Sequence, residues 1–324
     1  MRRRRLVGVF LALLSAAAAG FALHAWEDFH APGPLDEERR IVVPKGAGLA
    51  PLAELLAERG VLRSPLAFRF FVIVDGAQHR LKAGEYAFPA AVSAASVRDL
   101  LVAGRTVVRR LTVPEGLTTS AVLDLVRGAE GLVGELPDPG EGRLLPETYH
   151  YSHGDSRAGL VARMQSAMDK ALAGLFRERP AGSPLKSEAE LLTLASIVEK
   201  ETGVSGERAE IAGVFVNRLK RGMRLQADPT VIYALTGGRR ELGRPLTRAD
   251  LRVDHPYNTY RIRGLPPGPI ANPGRAALEA AARPAGTDAL YFVADGAGGH
   301  RFARTLREHN RNVARYRRLS RPSQ

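Results

Sequence analysis

The chain contains no cysteine in its 324 residues. This absence excludes structural disulfides, thiolate nucleophiles and metal sites built on thiolate ligands. It also excludes a lipid anchor of the kind that is attached to a cysteine. Any chemistry of this chain therefore has to rest on other side chains.

Acidic residues are in deficit: 34 Asp and Glu stand against 47 Lys and Arg, which leaves a formal charge of +13. A basic protein suits an anionic partner such as nucleic acid. Much of the excess, however, lies at the two ends of the chain, in Arg2–Arg5 and in the arginines between 311 and 321. The sequence also lacks a basic helix with base-reading residues, a zinc finger and an aromatic RNA-binding strand. We therefore expect no nucleic-acid partner.

Metal-binding motifs are missing as well. His150 and His153 are three residues apart, with Glu147 and Asp155 nearby, but this spacing matches none of the recognised ligand motifs. The Ser, Gly and Asp residues around His153 are typical of a loop. We predict neither a metal nor a cofactor.

One long apolar run is present. Leu6–Trp26 spans 21 residues without a formally charged side chain, close to the ~20 residues that cross a hydrocarbon core. Arg2–Arg5 precede it, which predicts that residues 1–5 stay in the cytoplasm and that the rest of the chain is exported to the periplasmic side. A cleaved signal peptide is the alternative, because Ser15–Gly20 offers small residues for cleavage. We favour an uncleaved, single-pass anchor in the inner membrane, because the apolar run reaches spanning length.

Polar residues with prolines and a glycine follow, and predict a linker over residues 27–39. A short β run, a Pro/Gly turn and an amphipathic helix then occur twice, at Val43-Pro-Lys-Gly46 and at Val113-Pro-Glu-Gly116. Between them, Gly84–Phe88 is predicted as a strand and Ser96–Val102 as a helix. Over residues 40–106 this order resembles a LysM-like module, a small fold that binds peptidoglycan glycan, with a partial second copy near 107–130. A plain α+β spacer domain is the alternative.

Leu191–Gly203 is an apolar helix that ends in two glutamates, Glu199 and Glu201. Burial and the negative end of the helix dipole both raise the pKa of a carboxyl at such a helix end. A carboxyl that stays protonated near neutral pH can serve as a general acid. Helical projection puts both glutamates at the edges of the apolar stripe and does not choose between them.

Several residues predict where helices begin and end. Ser187 and Glu190 fit a capping box before the apolar helix, and Gly203 is expected as its left-handed stop. Asp228, which precedes Pro229, is expected as the N-cap of a later helix.

Two loops farther along the chain are dense in Asn, Gln, Thr and Tyr: Arg224–Tyr233 and Tyr257–Ile270. These side chains hydrogen-bond sugar hydroxyls and stack on sugar faces. The helix before the first loop carries Asn217 and Arg218. The loops therefore favour a carbohydrate ligand.

Together these stretches resemble the YceG-like family of endolytic murein transglycosylases. The resemblance is close over residues 188–310 and covers nearly the whole chain when the anchor and the LysM-like module are included. The family more often has Asp where Glu147 stands. The matching stretches are Ala195–Thr202, Val214–Leu219, Met223–Tyr233, Tyr257–Tyr260, Gly264–Gly268 and Tyr291–His300.

The resemblance implies an α+β fold, with one transmembrane helix, the LysM-like module and a mixed α+β catalytic domain at 107–320. It implies a lyase that cleaves the β-1,4 bond between N-acetylmuramic acid and N-acetylglucosamine in nascent peptidoglycan without water. The products would carry 1,6-anhydro ends, and glycan elongation would stop. The resemblance, not the helical projection, selects Glu201 as the acid and base, with Glu199 second. Together with side-chain type, it suggests that Asn217, Gln226, Tyr257, Asn258, Thr259 and Tyr260 contact the substrate.

Two alternatives stay open. A muramidase-type hydrolase usually needs a second carboxylate, for which Glu199, Asp228 and Asp254 are candidates. A membrane-anchored, peptidoglycan-binding scaffold would act through the anchor and residues 40–106. The expected partners are peptidoglycan glycan strands and the membrane, with peptidoglycan synthases as candidate protein partners.

Overall fold

The computed structural model describes the backbone of residues 2–319, and the side chains in that range except those of residues 2–12, 14 and 18. The chain divides into two compact units. Unit 1 comprises the residues up to Arg109 together with Tyr151–Gly154, and unit 2 comprises Arg110–His150 and the residues from Asp155 onward. Both units combine helices with short strands, which confirms the predicted α+β class.

Unit 1 is built around one antiparallel pair of strands. The pair consists of β1 (Arg39–Val43) and β2 (Gly84–Phe88), with Ile41 opposite Tyr86. The predicted strand at Gly84–Phe88 and the predicted helix at Ser96–Val102 are confirmed. The helices of unit 1 are α1 (Arg2–His30), α2 (Leu49–Glu58), α3 (Pro65–Val74) and α4 (Ala94–Ala103).

Residues 27–39 belong to the folded part of unit 1, which corrects the expectation of a linker. Helix α1 continues to His30, and Phe29 near its end is 1 % exposed, with its ring 4.7 Å from that of Phe71. Beyond the helix, Gly33 N donates to Ala91 O, and Ala91 N donates to Leu35 O. Only Phe29 and Leu35 of this stretch are buried. Its composition is therefore as polar as that of a linker, although its backbone is hydrogen-bonded to the rest of unit 1.

The predicted transmembrane segment, residues 6–26, lies within α1, but many of its side chains fall outside those described. Among the described residues, no helix combines the length and the hydropathy that crossing a membrane requires.

The two Val-Pro-x-Gly turns have the same backbone conformation. Gly46 (φ 78°) and Gly116 (φ 75°) are both left-handed, which a residue with a side chain adopts only under strain. Each turn leads into a helix, α2 in unit 1 and α5 (Thr119–Gly128) in unit 2. The repeated sequence pattern therefore reflects a repeated turn.

Unit 2 surrounds one central helix, α7 (Glu188–Glu201), which contacts α6, α8, α9 and α10. Strand β3 pairs with β4, and β5 pairs antiparallel with β6 in a hairpin. The remaining elements are β3 (Arg109–Thr112), β4 (Thr148–Tyr151), α6 (Arg157–Glu178), α8 (Arg208–Lys220), α9 (Asp228–Thr236), α10 (Arg275–Ala282), β5 (Tyr291–Ala294), β6 (His300–Ala303) and α11 (Leu306–Leu319).

Helix α7 is buried on every side along its middle. All residues from Leu191 to Val198 are buried, whereas the sequence predicts a single apolar stripe. The polar members of this run have partners inside the core: Thr193 Oγ1 donates to Ala189 O (2.8 Å), and Ser196 Oγ accepts from Ile270 N (3.0 Å). Ser196 thereby ties the loop that ends at Ile270 to the helix that carries the two glutamates.

Candidate active site

The start of α7 is fixed by side chains before its first turn. Ser187 Oγ accepts a hydrogen bond from Glu190 N (3.2 Å), as predicted. Glu190 Oε2 accepts from Lys186 N (2.5 Å), one residue before the amide that a capping box would use. These two bonds set where the helix begins.

The end of α7 does not use the predicted glycine stop. The last helical residue is Glu201, and Thr202 is already extended, with φ −141° and ψ 134°. Thr202 Oγ1 accepts a hydrogen bond from Val204 N (2.9 Å), and Gly203 is not left-handed. A threonine side chain turns the chain here, so no left-handed glycine is needed.

Glu199 and Glu201 have different surroundings. Glu199 Oε2 accepts from Gly274 N (2.9 Å), and its Oε1 lies 3.5 Å from Arg208 Nη2. Its side chain is only 5 % exposed. Within residues 2–319, no hydrogen bond or ion pair ends on the Glu201 carboxyl. Glu199 therefore links the end of α7 to Gly274 and Arg208, whereas the Glu201 carboxyl is available to a ligand.

The pKa of Glu201 is raised to about 8, chiefly by burial of the carboxyl. The negative charge of Asp228 raises it further, and the guanidinium of Arg218 opposes the shift. Glu201 nevertheless remains partly exposed. At neutral pH its carboxyl is largely protonated, which is the state that a general acid requires.

Asp228 and Tyr260 form a hydrogen-bonded pair at this site. Tyr260 Oη donates to Asp228 Oδ1 at 2.6 Å. Burial, and then the bond to Asp228, raise the pKa of Tyr260, so it stays a hydroxyl donor. Asp228 is the first residue of α9, after Ala227 at the N-cap position, and it makes no capping bond. The expectation that Asp228 caps the helix is therefore wrong, because its carboxylate binds Tyr260 instead.

Arg218 is a buried cation that sequence reasoning noted without assigning it a role. Its Nε donates to Leu290 O and its Nη1 to Leu225 O, both at 2.6 Å, and its guanidinium lies over the Tyr291 ring. Burial lowers the pKa of Arg218, and the charge of Glu201 is among the groups that raise it. A charged residue beside the buried Phe215 on α8 is the signal that could have identified it.

Three of the predicted substrate contacts make hydrogen bonds to the protein backbone. Asn217 Nδ2 donates to Thr287 O (2.7 Å) and Ala289 O (3.1 Å). Asn258 is fully buried, and its Nδ2 donates to Val253 O (2.7 Å). Thr259 is also fully buried, and its Oγ1 accepts from Ala227 N (2.9 Å). Neither Asn258 nor Thr259 has a side chain at the surface to offer a sugar.

The other predicted contacts keep accessible side chains. Gln226 is exposed and has a left-handed backbone (φ 53°), which is strained for a residue with a Cβ. Gln226 N donates to Thr259 O (3.2 Å), so the buried threonine holds the strained residue in place. Tyr257 and Tyr260 are partly exposed, and the Tyr257 ring lies 4.8 Å from that of Tyr233. The candidate residues Glu201, Asp228, Gln226, Tyr257 and Tyr260 thus keep accessible side chains.

A cavity of about 350 Å³ adjoins these residues. Lys200 and Pro229, the chain neighbours of Glu201 and Asp228, line it, whereas Glu201 and Asp228 do not. One face of α9, including Ile232 and Tyr233, forms a wall. The cavity therefore lies at the end of α7 and the start of α9, as Glu201 and Asp228 do, but neither carboxyl lines it.

In the part of the chain that the structure describes, no group of three or more His, Cys, Asp or Glu side chains could hold a metal ion.

The YceG-like family model matches residues 41–315. The endolytic murein transglycosylase of Bacillus subtilis strain 168 is 32 % identical over 308 aligned positions, which cover 85 % of this chain and 84 % of that one. The endolytic murein transglycosylase of Streptococcus pneumoniae strain D39 is 32 % identical over 363 positions, which cover 95 % of this chain. The match spans only 64 % of the pneumococcal protein, less than two thirds of its length.

Among solved structures, the crystal structure of a yceG-like protein from Listeria monocytogenes is similar, with a TM-score of 0.52 and 32 % sequence identity. The similarity covers 85 % of this chain and 99 % of the Listeria chain.

Proposed function

This chain belongs to the YceG-like family, and from that membership we propose that it is an endolytic lytic transglycosylase of peptidoglycan. The proposal rests on the carboxyl of Glu201, at the end of the central helix. Its pKa is raised, in part by the charge of Asp228. Within residues 2–319 it has no hydrogen-bond partner. It is the one glutamate of the Glu-Lys-Glu run whose environment suits proton transfer.

The reaction is cleavage of the β-1,4 bond between N-acetylmuramic acid and N-acetylglucosamine. Protonated Glu201 donates its proton to the glycosidic oxygen as the bond to C1 of the muramic acid breaks, and the glucosamine leaves with a 4-hydroxyl. The glutamate, now ionised, takes the proton of the muramic acid 6-hydroxyl. That oxygen bonds to C1 and closes a 1,6-anhydro ring, so no water is consumed and one carboxyl serves both steps.

A pKa of about 8 suits both directions of this transfer. A group with a pKa near the working pH is sufficiently populated as an acid and remains a competent base after it has lost its proton. The carboxylate of Asp228, held by Tyr260, supplies a negative charge in the site that can stabilise the positive charge developing at C1.

A muramidase-type hydrolase is the second candidate, and Asp228 is the observation that favours it. A hydrolase uses a second carboxylate as nucleophile or to activate water. Of the three candidates, Glu199 is bound to Gly274 N and Arg208, whereas the charge of Asp228 acts on Glu201. The two reactions leave different ends: 1,6-anhydro-muramic acid from the transglycosylase and a reducing sugar from the hydrolase.

The test is mass analysis of the products from purified peptidoglycan strands, with Glu201→Gln and Glu199→Gln compared side by side. We expect wild type to release anhydro ends and Glu201→Gln to lose activity by at least about 1,000-fold, since acid and base are both removed. Glu199→Gln keeps the acid and loses stability. Reducing ends from wild type would refute the transglycosylase and support the hydrolase. An active Glu201→Gln would refute the assignment of Glu201 as the acid.

For unit 1, we propose that residues 40–106 form a LysM-like module that binds the glycan strand. The strand–helix–helix–strand order of β1, α2, α3 and β2 around an antiparallel pair supports this. If the protein were only a peptidoglycan-binding scaffold, Glu201→Gln would still complement a deletion strain, whereas loss of residues 40–106 would not.

For localisation, we propose that residues 6–26 anchor the chain in the inner membrane with residues 1–5 in the cytoplasm. The arginines at 2–5 and the uncharged run behind them support this orientation. Alkaline phosphatase fused to the carboxyl terminus is then active and green fluorescent protein fused there is dark; the reverse pattern would refute the orientation. Nascent strands, and the synthases that make them, would be within reach of such an enzyme.

A further inference from the structure

Arg239 and Arg240 line the cavity beside Glu201, and a pair of glycines places them there. Gly237 (φ 60°) and Gly238 (φ 70°) are both left-handed and end α9. A Cβ on Gly238 would lie 2.7 Å from the Tyr233 ring. The turn therefore depends on glycine, and it directs the two arginines back toward the cavity.

The cavity joins an apolar wall to a charged rim. Leu117, Ala121, Ile232 and Ile270 provide the apolar wall. Lys200 also lines the cavity, but its Nζ already donates to Gly116 O (3.2 Å). Asp124 likewise pairs with Arg127.

The remaining charges on the rim are Arg239, Arg240 and Glu241, all exposed. Over residues 2–319, no ion pair or side-chain hydrogen bond engages either arginine. The cavity therefore offers two open guanidinium groups and one open carboxylate above an apolar surface.

We propose that this cavity binds the peptide stem of the peptidoglycan strand whose glycan is cleaved at Glu201. The inference rests on the proposed function. The stem is attached at C3 of the muramic acid, two ring bonds from the C1 atom at which the glycan breaks. Lys200 and Pro229, at the cavity wall, directly adjoin Glu201 and Asp228 in the chain, and consecutive Cα atoms are about 3.8 Å apart. Consecutive side chains on a helix point in different directions, so the cavity lies to the side of the two carboxyls. A stem of four residues, which spans up to about 3.3–3.6 Å per residue, is long enough to reach from the sugar at the acid into the cavity.

The chemistry of a stem matches the lining. Its alanine methyl groups suit the wall formed by Leu117 and Ile232. Its free carboxylates, one on the γ-linked glutamate and one at the terminal alanine, suit the guanidinium groups of Arg239 and Arg240, which bind carboxylates through paired hydrogen bonds. The free amine of the diamino residue suits Glu241. The volume of about 350 Å³ falls in the roughly 300–1,000 Å³ range of ligand cavities.

The kinetic test compares two substrates: glycan strands that carry stems, and the same strands after an amidase has removed the stems. For wild type we expect kcat/KM to be about tenfold higher on the strands with stems, the scale of one charge-assisted contact. In Arg239→Glu/Arg240→Glu we expect kcat/KM on the strands with stems to fall, so that the ratio of the two values drops to about one. Arg317→Glu/Arg318→Glu, an adjacent exposed pair on α11 that does not line the cavity, changes the net charge equally and keeps the ratio.

A binding test separates this proposal from the proposed function. The full-length Glu201→Gln protein is titrated by calorimetry with two free tetrapeptides, L-Ala–γ-D-Glu–X–D-Ala, in which X is meso-diaminopimelate or L-lysine. We expect at least one to bind, and Arg239→Glu/Arg240→Glu added to that variant to abolish binding. Failure of both peptides to bind, or a wild-type ratio of one, would overturn the stem site. If wild type cut neither substrate, the proposed activity would fail, and the titration would still decide what the cavity binds.

Discussion

At the scale of single residues, the two glutamates at the end of α7 show how neighbours divide the roles of chemically identical side chains. Gly274 N donates a hydrogen bond to Glu199 Oε2, and the guanidinium of Arg208 lies 3.5 Å from Glu199 Oε1. Within residues 2–319, no group donates a hydrogen bond to the Glu201 carboxyl, and the charge of Asp228 opposes its ionisation. Glu199 is thus engaged by the protein, whereas Glu201 is the carboxyl that we propose as the proton donor.

The pH dependence of activity follows from the charge of Asp228. Replacing Asp228 by Asn removes a negative charge that raises the pKa of Glu201, so that pKa falls. Because the first step of the proposed reaction needs protonated Glu201, the basic limb of kcat/KM against pH, near 8 in wild type, moves to lower pH in Asp228→Asn. Tyr260→Phe is the matched control: it removes the hydrogen bond and keeps the charge, so its basic limb stays in place. An unmoved limb in Asp228→Asn would contradict the coupling.

The same pKa has a consequence for stability. The carboxyl of Glu201 has an unfolded value of 4.5 and a folded value of about 8. Because the folded value is the higher, ionisation is opposed in the fold, and the free energy of unfolding of wild type falls as pH rises from about 4.5 to about 8.

Glu201→Gln cannot ionise, so it escapes this loss. Its stability advantage over wild type should grow between pH 5 and pH 8 to the order of 3 kcal/mol, at about 1.4 kcal/mol per pKa unit. Thermal denaturation of both proteins at the two pH values measures it. Glu199→Gln, which loses a charged partner of Arg208, should be less stable than wild type at both. A Glu201→Gln advantage that is equal at pH 5 and pH 8 would contradict the raised pKa.

At the scale of elements, the site depends on hydrogen bonds between the loop at 257–260 and the loop at 224–228. Thr259 accepts from Ala227 N through Oγ1 (2.9 Å) and from Gln226 N through its carbonyl (3.2 Å), and its hydroxyl lies 2.8 Å from that of Thr230. These contacts fix the strained Gln226 and the start of α9, where Asp228 lies. The loop at 257–260 therefore acts on the site largely through the backbone of the loop at 224–228.

Thr259→Val tests this role. Valine keeps the shape and removes the hydroxyl, which leaves the buried Ala227 N–H without an acceptor at a cost of about 1–3 kcal/mol. We expect a lower melting temperature together with reduced kcat/KM, because Gln226 and Asp228 lose their support. Thr259→Ser, which retains the hydroxyl, should restore most of both. Lost activity at an unchanged melting temperature would instead indicate that Thr259 contacts the substrate.

Elements and local signals could be predicted from the sequence, whereas the partners of polar side chains could not. The cap at Ser187, the hairpin at β5–β6 and the left-handed Gly46 and Gly116 arise within a few residues, where periodicity and turn chemistry operate. Asn217 binds the carbonyl of Ala289, 72 residues away. An amide that binds a distant carbonyl and one that binds a sugar look the same in sequence.

At the scale of the whole molecule, α1 enters unit 1 without a flexible joint. Residues 27–30 are still helical, and Phe29 packs into the core of unit 1. If residues 6–26 span the membrane as proposed, the four helical residues after Trp26 advance only about 6 Å, at 1.5 Å per residue. Unit 1 then lies next to the membrane surface.

Phe29 is therefore the residue on which the joint between anchor and module depends. Its ring is 1 % exposed and lies 4.7 Å from the Phe71 ring, and the guanidinium of Arg98 lies 5.4 Å from its centroid. Phe29→Ala should destabilise unit 1 by about 3–5 kcal/mol, the usual cost of removing a buried phenylalanine. Hydrogen exchange of the amides in β1 and β2 measures the loss, because unit 1 has its own core around that strand pair. Trp26→Ala is the control, since Trp26 is 53 % exposed and its loss should leave β1 and β2 protected. Unchanged exchange in Phe29→Ala would mean that Phe29 does not support the core of unit 1.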